Sequence, residues 1–292
     1  MVDGMDSGKS ESSAFPHPDA VRSRARILKT MRAFFDGLDF VEVETPVRIV
    51  APAPETHIDC PPVATGGYLR ASPELQMKKL LALGMERIYQ IGPCFRDGEK
   101  GSRHHPEFTM IEWYRRNADC YAIMEDAKAL VARLRGEETA FRIIPVREAY
   151  RMWAGWDPWA AWDVDRFDFD MAVKIEPALK NEGWAFLVGY PRQAASLAKV
   201  SGDSAERWEL YAGGMELANC FTELCDAGEQ RRRFDQARAE RKALGEADYP
   251  VDEEFLSLLG EIGSAAGVAL GVDRLAMVLS GAGRIEDVRI VD

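Results

Sequence analysis

The stretch FRDGEKGSRHHPEFTMIEWY, residues 95–114, decides the expected fold. Apolar arms flank a central run of glycine and charge, which is typical of a β-hairpin with a long polar loop. On the return arm, alternation places Phe108, Met110, Glu112 and Tyr114 on one face. A carboxylate among apolar neighbours must be paired, or it protonates. The partner of Glu112 is therefore either the ammonium of a ligand or a lysine or arginine of the protein.

Charge is concentrated at the tip of this hairpin. Arg96 ends the outgoing arm, and Arg103, His104 and His105 lie on the loop or at its end. A planar guanidinium at the end of a strand suits bidentate binding of phosphate. The alternative is an ordinary solvated loop. Adjacent histidines lack metal-ligand geometry on a helix or a strand, so no metal is expected there.

The segment ERWELYAGGMELANCFTEL, residues 206–224, predicts a second hairpin. A two-residue turn at Ala212–Gly213 would set Glu209 directly opposite Glu216, with their Cβ atoms about 5 Å apart. A divalent cation would relieve this repulsion, and Mg²⁺ binds few protein carboxylates while keeping positions for phosphate oxygens. The alternative is that both carboxylates point to solvent.

The second arm of this hairpin runs on to Glu223. Strict alternation puts Glu216 and Glu223 on opposite faces of the strand. They share a face only if the strand bulges, and Cys220 marks the expected place. Without a bulge, Glu223 is a solvated side chain, which is the ordinary state of glutamate.

Other segments predict the remaining elements. Two glycines, Gly267 and Gly271, would let the backbone approach a ligand closely, and Arg274 at the start of a helix could stack on a base or form a salt bridge. Five tryptophans between residues 150 and 190 are expected to pack a small insertion core rather than stack on a ligand. The expected helices are 19–38, one opened by Ser72-Pro73-Glu74, 119–135 and 228–245, with a strand leading into a helix at 268–279.

Composition limits the classes of protein that fit. The 292 residues carry a net charge of -11, so a nucleic-acid ligand would require a local basic patch. Five cysteines without a CxxC pair fit a reducing cytoplasm, and no apolar run reaches the roughly 20 residues of a membrane span. Residues 1–17 are expected to be a flexible polar lead.

Taken together, these segments resemble the catalytic domain of class II aminoacyl-tRNA synthetases of the lysyl branch. The resemblance covers residues 19–285, and it implies an α+β fold with an antiparallel β-sheet flanked by helices, in one catalytic domain, 18–292, with an insertion at 136–190. Motif 1 would form the interface of a homodimer. The matching segments are FFDGLDFVEVETP (34–46) for motif 1, residues 95–114 for motif 2, GVALGVDRLAM (267–277) for motif 3, SPE (72–74) and ELANCFTEL (216–224).

The segment before motif 1 separates the members of this branch. Motif 1 begins after about eighteen residues, too few for the anticodon-binding barrel of a lysyl-tRNA synthetase. A lysyl-type core without that barrel is similar to the elongation factor P–lysine ligase family, which joins lysine, preferably (R)-β-lysine, to a lysine side chain of elongation factor P. Ala269 fits that family, where lysyl-tRNA synthetases have glycine, because an added methyl group can shift the preference between an α- and a β-amino group.

The resemblance implies ATP and Mg²⁺ as cofactors, lysine or β-lysine as substrate, and a role for each matching residue. Arg96 and Arg274 would be catalytic, since they would neutralise charge at the α-phosphate and lie over the adenine. Glu209 and Glu216 would bind Mg²⁺. The nucleotide would contact Arg96, Asp97, Gly98, His105, Phe108, Glu216, Leu217, Gly271 and Arg274. The amino acid would contact Ser72, Pro73, Glu74, Glu112, Tyr114, Asn219, Glu223 and Ala269.

Two departures from the family pattern leave other functions open. The family's FRNE appears here as FRDG, with Gly98 in place of the carboxylate, and ANGF appears as ANCF, with Cys220 in place of glycine. These changes favour a non-catalytic paralogue that binds an amino acid or AMP. A ligase acting on tRNA is the other alternative, and the run Arg231–Arg233 is its support, although such runs are commonly a solvated helix face.

Overall fold

The computed structural model describes residues 17–291, so the expected N-terminal lead lies outside the described residues except for His17. The helices in this part of the chain are α1 (Pro18–Asp36), α2 (Glu74–Ala82), α3 (Cys120–Arg135), α4 (Val146–Ala149), α5 (Val164–Asp170), α6 (Glu176–Leu179), α7 (Ala227–Leu244), α8 (Glu253–Leu258) and α9 (Val272–Ser280). The strands are β1 (Val41–Glu42), β2 (Arg48–Ile49), β3 (Tyr68–Leu69), β4 (Arg87–Phe95), β5 (Glu107–Arg116), β6 (Phe141–Pro145), β7 (Trp184–Pro191), β8 (Val200–Ser201), β9 (Ser204–Ala212), β10 (Met215–Thr222) and β11 (Ala265–Gly271).

One large sheet organises residues 17–291. Its order is β1-β4-β5-β11-β10-β9-β7-β6, with β8 paired to β9. The central pairs, from β4 to β7, are antiparallel, whereas β1 pairs with β4 and β6 pairs with β7 in parallel. The predicted α+β class is therefore confirmed, and the sheet expected to be antiparallel is a mixed one whose parallel pairs lie at its two edges.

The sheet separates an apolar face from a polar one. Alternation along β5 buries Ile111 and Trp113 against a core that includes α1, α3 and α9. Glu112 and Tyr114 point to the other face, where α2, α7 and α8 pack through a second group of apolar residues, among them Leu75, Phe234 and Phe255. Successive side chains of a strand point to opposite faces. Burial of Ile111 and Trp113 in the core therefore determines that Glu112 and Tyr114 point to the polar face.

The segment between β5 and β9 adds the strands β6, β7 and β8 and a small core of its own. Tyr150 and Phe167 stack there with ring centroids 4.6 Å apart, and the partly buried Trp153, Trp156, Trp159 and Trp162 pack around them. Trp184 instead packs against the main core. The expectation that these tryptophans form an insertion core is confirmed for the first four. Among residues 17–291, no helix combines the length and the apolar character that crossing a bilayer requires.

Candidate active site

A row of paired residues crosses the polar face of the sheet. Glu112 on β5 is the Cα partner of Ala269 on β11, which in turn pairs with Asn219 on β10, and Asn219 pairs with Glu209 on β9. Directly paired residues point to the same face. The sheet register therefore brings together four predicted site residues that are up to 157 positions apart in the chain.

The predicted register of the second hairpin is wrong. The turn residues are Gly213 and Gly214, both with positive φ (57° and 74°), so Ala212 pairs with Met215. Glycine carries this backbone conformation at little cost, and a pair of such residues forms the tight turns that suit hairpins. As a consequence, Glu209 lies opposite Asn219 and not opposite Glu216.

The bulge that the sequence required is present, but not at Cys220. The register shifts between Glu216 and Ala218, which leaves Leu217 as the extra residue. One extra residue changes the alternation by a single step. Glu216 thereby returns to the face that carries Glu209 and Asn219.

Glu112 is fully buried, and both its oxygens accept hydrogen bonds. Ser72 Oγ donates to Oε1 at 2.6 Å and the Tyr114 hydroxyl donates to Oε2 at 2.9 Å. Burial raises the pKa of Glu112 to about 7, and the nearby Glu74 carboxylate adds to the shift. Of the two partners that the sequence allowed, residues 17–291 supply no lysine or arginine within ion-pair distance. The carboxylate is thus oriented by neutral donors.

Lys78 joins two of the other predicted carboxylates, and sequence reasoning missed it. Its ammonium lies 2.5 Å from Glu74 and also contacts Glu223, and the lysine side chain is fully buried. Burial raises the pKa of Glu223 to about 8 in spite of this partner. Burial alone would lower the pKa of Lys78, but Glu223 and Glu74 raise it above the ordinary value. The sequence feature that could have indicated Lys78 is its i,i+4 spacing from Glu74 on α2.

These contacts define the acidic pocket, which lies under the polar face of the sheet. Glu74 is joined through Lys78 to Glu223, and its backbone N–H donates to Ser72 Oγ at 2.9 Å, the same oxygen that holds Glu112. The two groups of carboxylates are therefore linked through the start of α2. The acidic pocket consists of Ser72, Glu74, Lys78, Glu112, Tyr114 and Glu223.

A cleft of ≈ 1210 Å³ opens above the acidic pocket and runs along the sheet. The predicted residues that line it are Ser72, Glu74, Arg96, His105, Phe108, Glu209, Glu216, Leu217, Asn219, Ala269, Gly271 and Arg274. Those that do not line it are Pro73, Asp97, Gly98, Glu112, Tyr114 and Glu223. Glu112, Tyr114 and Glu223 lie beneath the cleft floor, at 0%, 3% and 3% exposure.

Arg96 reaches the other end of this cleft. Its guanidinium lies 5.3 Å from the centre of the Phe108 ring, and its Nε is buried without a hydrogen-bond partner. A buried donor without a partner is costly in a folded protein. The position therefore fits an anionic ligand that would accept from Nε.

Arg274 binds back to β10 and to the motif 2 loop. Its Nη1 donates to the backbone oxygen of Glu216 at 3.0 Å, and its Nη2 lies 2.5 Å from Nε2 of His104. Burial, reinforced by Arg274, lowers the pKa of His104, so the imidazole is held neutral. The arginine end of the cleft consists of Arg96, His104, Phe108, Glu216 and Arg274.

Two residues assigned to the nucleotide by resemblance, Asp97 and Gly98, lie outside the cleft, whereas His105 lines it. His105 Nδ1 contacts the backbone of Glu107 at 2.8 Å, while its neighbour His104 touches Arg274. Asp97 Oδ1 accepts from the N–H of Gly98 at 3.0 Å, and both residues are exposed outside the cleft. The short side chains at the FRDG departure therefore form a local turn.

The two predicted metal ligands, Glu209 and Glu216, differ in how many protein donors their carboxylates already have. Glu209 is buried, and its oxygens accept from Arg207, Tyr190 and Tyr211 at 2.5–2.6 Å. Glu216 is half-buried, and within residues 17–291 its carboxylate has Arg274 as its one partner, at 3.4 Å. Burial and the Glu209 charge raise the pKa of Glu216, and no group of three or more metal-binding side chains occurs among residues 17–291. The residues thus fit a cation held through few protein ligands, with Glu216 the more available.

Comparison with known proteins agrees with this arrangement. The family model described as "tRNA synthetases class II (D, K and N)" matches residues 17–291. A relative from Proteus mirabilis, named elongation factor P–(R)-beta-lysine ligase, is 37% identical over 303 residues, with 91% of this chain and 92% of the relative covered. Relatives of the same name from Photorhabdus laumondii and Edwardsiella ictaluri are 38% and 37% identical, at the same coverage.

The chain belongs to the class II tRNA synthetase family. Motif 3 of this class II synthetase contains a glycine whose expected role is corrected by the structure. A Cβ on Gly267 would lie 2.1 Å from the Tyr114 ring. Gly267 therefore makes room for a tyrosine that holds Glu112, whereas Gly271 lines the cleft as expected.

The basic run on α7 of this class II synthetase is paired within the protein. Arg231 binds Glu253, Arg232 binds Glu229, and Arg233 donates to the backbone oxygens of Ser196 and Ala198 at 2.7 and 2.8 Å. Each arginine of the run therefore has an acceptor within the protein, which fits the alternative interpretation of the run as a solvated helix face.

Proposed function

We propose that this class II synthetase is an ATP-dependent ligase that activates lysine or (R)-β-lysine and transfers it to a lysine side chain of elongation factor P. The observation that carries the proposal is the charge of the acidic pocket. Two buried carboxyl groups, Glu112 and Glu223, and the partly buried Glu74 share one buried ammonium, that of Lys78, which contacts Glu74 and Glu223. When all three carboxyl groups are ionised, Lys78 leaves two negative charges unbalanced, and lysine and β-lysine each carry two ammonium groups that would favour the ionised forms.

The first step would join the substrate to ATP. The substrate carboxylate attacks the α-phosphate, which gives an aminoacyl-adenylate and pyrophosphate. Arg96 would neutralise the charge that grows at this phosphate, supported by its unpartnered Nε. Phe108 and Arg274 would lie on the two faces of the adenine, for which Arg96 must move from its contact with the Phe108 ring. His105, Leu217 and Gly271 line the same cleft and would surround the nucleotide.

Glu209 and Glu216 would hold Mg²⁺, which would supply positive charge to the phosphate oxygens. Glu176 supports an acidic site there, because burial, Glu216 and Glu209 raise its pKa to about 7. Glu209 is oriented by the hydroxyls of Tyr190 and Tyr211. Arg207 donates to Glu209 and would therefore compete with a cation for that carboxylate. Arg207 also donates to Asn219 Oδ1 at 3.2 Å, so another acceptor is available to it when a cation binds.

In the second step the acceptor amine attacks the adenylate carbonyl and AMP leaves. Neither step needs a covalent nucleophile on the protein, so catalysis would consist of positioning and charge neutralisation. Glu112 and Glu223, with Tyr114 and Asn219, would hold the distal ammonium, and Glu74 with Ser72 and Pro73 would hold the other amino group.

Two further features belong to the proposal. A homodimer through motif 1 is supported by exposed apolar side chains on and beside α1 and β1: Val21 at 42%, Leu38 at 37% and Val41 at 51% exposure. Light scattering at several concentrations would test it. A cytoplasmic location is supported by the five cysteines, all of them free.

The deciding experiment is the intact mass of elongation factor P after incubation with this protein, ATP and Mg²⁺. Parallel samples receive L-lysine, (R)-β-lysine or no amino acid, and a further sample replaces the acceptor protein with tRNA. A mass gain on one lysine of elongation factor P, dependent on ATP and one of the amino acids, is expected. Charging of tRNA, or no adenylate with either amino acid, would contradict the proposal.

A further inference from the structure

Glu55 lies on the loop between β2 and β3, and that loop is fixed to α7. Arg241, whose side chain is fully buried, donates to the backbone oxygen of Glu55 at 2.9 Å and to that of Ile58 at 3.1 Å. The same guanidinium binds Asp59 at 2.5 Å. A buried arginine with several acceptors holds a backbone in one place, so the position of Glu55 is defined by the fold.

Glu55 lines the cleft, and together with Ser72 and Glu74 it also lines a smaller recess. Among residues 17–291, no hydrogen bond or ion pair to the Glu55 carboxylate occurs, in contrast to Glu74, Glu112, Glu209 and Glu223. The charged groups that act on it are Glu74 and Lys78 from α2, Arg96 after β4 and Arg207 from β9.

Glu55 lines the same cleft as residues from both of its ends, Glu74 and Arg96. In the proposed reaction the carbonyl of the adenylate lies between the ammonium that Glu74 would hold and the phosphate that Arg96 would hold. Glu55, Glu74 and Arg96 all line this cleft. In the proposed reaction the Glu55 carboxylate would therefore be available beside the bond that the acceptor must attack.

The acceptor amine presents a problem that none of the residues described above solves. A lysine side chain with a pKa of about 10.4 is neutral in only roughly one molecule in 2500 at pH 7. The ammonium form has no lone pair and cannot attack a carbonyl. A carboxylate at the point of attack would both attract the ammonium and take its proton.

We propose that Glu55 is a catalytic residue that accepts a proton from the acceptor lysine before the amine attacks the adenylate. The inference rests on the proposed function and adds a residue to its second step. An Nζ–H bond breaks and the proton passes to the carboxylate, while the freed electron pair forms the bond to the carbonyl carbon. The carbon–oxygen bond to the phosphate then breaks and AMP leaves with that pair; the second amine proton passes to solvent as the amide forms.

The acid–base state of Glu55 suits this role. Burial raises the pKa of Glu55 to about 7, and Glu74 adds to the shift. Only the ionised form can accept a proton, so transfer is expected to rise with pH up to about 7 and to level off above it. The raised pKa also makes the carboxylate a better proton acceptor than an exposed glutamate.

The test separates the two steps in the variant Glu55→Gln. Enzyme carrying a preformed adenylate is mixed with elongation factor P in a single turnover, and a parallel sample is mixed with hydroxylamine, which attacks as a neutral amine. We expect transfer to elongation factor P to fall by roughly 10²- to 10⁴-fold near pH 7, while lysine-dependent pyrophosphate exchange and hydroxamate formation stay at the wild-type level. The loss should shrink as pH rises, because the neutral acceptor then forms without help.

Glu240→Gln is the matched control. Glu240 also lines the cleft, and its carboxylate accepts from Thr56 Oγ1 at 2.9 Å, next to Glu55; wild-type transfer is expected.

Three results would overturn the assignment: unchanged transfer in Glu55→Gln, equal loss of transfer and hydroxamate, or a raised KM for lysine in pyrophosphate exchange. The last would mean that Glu55 binds the substrate ammonium. Failure of the wild-type enzyme to modify elongation factor P would instead refute the proposed function, and this inference with it.

Discussion

The acidic pocket and the arginine end of the cleft carry opposite charges and are built in opposite ways. In the acidic pocket, Glu112 and Lys78 are fully buried and every carboxylate has a protein partner. At the arginine end, the side chains of Arg96 and Arg274 are 26% and 23% exposed, and Arg96 keeps an unpartnered Nε. The first region is preorganised by the fold, whereas the second is arranged so that a ligand completes it.

This difference indicates where each region obtains its specificity. Buried charges must be balanced, because leaving one unpaired in the interior is costly. In the proposed function, the acidic pocket would therefore select ligands by the number and position of their ammonium groups. The arginine end is half-open to solvent, so it would select by shape and hydrogen bonding, with side chains free to move when a nucleotide binds.

The largest expected effect comes from breaking the charge balance of the acidic pocket with Lys78→Met. Glu74 and Glu223 would then be buried without a cation, so we expect a loss of roughly 3–5 kcal/mol in the free energy of unfolding. Urea denaturation at pH 8 measures it. The loss should be smaller at pH 6, since Glu223 protonates as pH falls below about 8.

Lys79→Met is the matched control for that experiment. Lys79 is next in the chain and bonds Asp252 and Glu254, and Glu254 is 73% exposed. The side chains of Lys79 and Asp252 are 13% and 10% exposed, and neither is fully buried, so we expect a loss of roughly 1–2 kcal/mol, well below that of Lys78→Met. Equal destabilisation by the two variants would contradict the claim that Lys78 balances the buried charges of Glu74 and Glu223.

The second effect tests the arginine end with Arg96→Ala. Lysine-dependent pyrophosphate exchange should fall roughly 10²- to 10³-fold, the usual loss when one donor to a developing charge is removed. The fold should remain intact, because Arg96 has only a 3.6 Å contact with Glu99 and its stacking on Phe108. Lys100→Ala, an exposed neighbour on the same loop, should exchange normally. Wild-type exchange by Arg96→Ala would refute its role.

The third effect is a pH dependence confined to the acidic pocket. Glu112 must be ionised to hold an ammonium, and its pKa is raised to about 7. Glu223, which would hold the same ammonium, has a pKa of about 8. The affinity for lysine should therefore be highest above pH 8 and fall by at least roughly tenfold per unit below pH 7. Calorimetric titration at pH 9, 8, 7 and 6 measures this slope. Glu112→Gln should bind weakly and have a shallower slope below pH 7, because only the contribution of Glu223 remains; an unchanged slope there would assign it to another group.

The same two regions show what the sequence could and could not predict. The alternation of β5 predicted the face of Glu112, and the resemblance of the motifs indicated twelve of the residues that line the cleft. The register of β9 and β10 was not predictable, because Ala212-Gly213-Gly214 allows two turn positions and a bulge at Leu217 leaves no clear signal. A one-residue slip of this kind reassigns every cross-strand pair.

Contacts between distant segments were the other gap. Lys78 meets Glu223 only because α2 packs over the end of β10, and Tyr114 fits only because residue 267 is glycine. Sequence reasoning treated Glu112 as the residue in need of a cation and overlooked that Glu74 and Glu223 share one. A search for i,i+4 charge pairs would have found half of this contact.

The smallest expected effect concerns one methyl group between the two regions. Ala269 pairs with Glu112 on one side and Asn219 on the other, at the floor of the cleft. Ala269→Gly removes the contact of a single methyl, worth about 0.8 kcal/mol, so the ratio of kcat/KM for (R)-β-lysine and L-lysine should shift by about fourfold towards L-lysine. Ala266→Gly, on the same strand but buried in the main core, should lower stability without changing the ratio. An unchanged ratio in Ala269→Gly would mean that the choice between the two lysines is made by the buried charges alone.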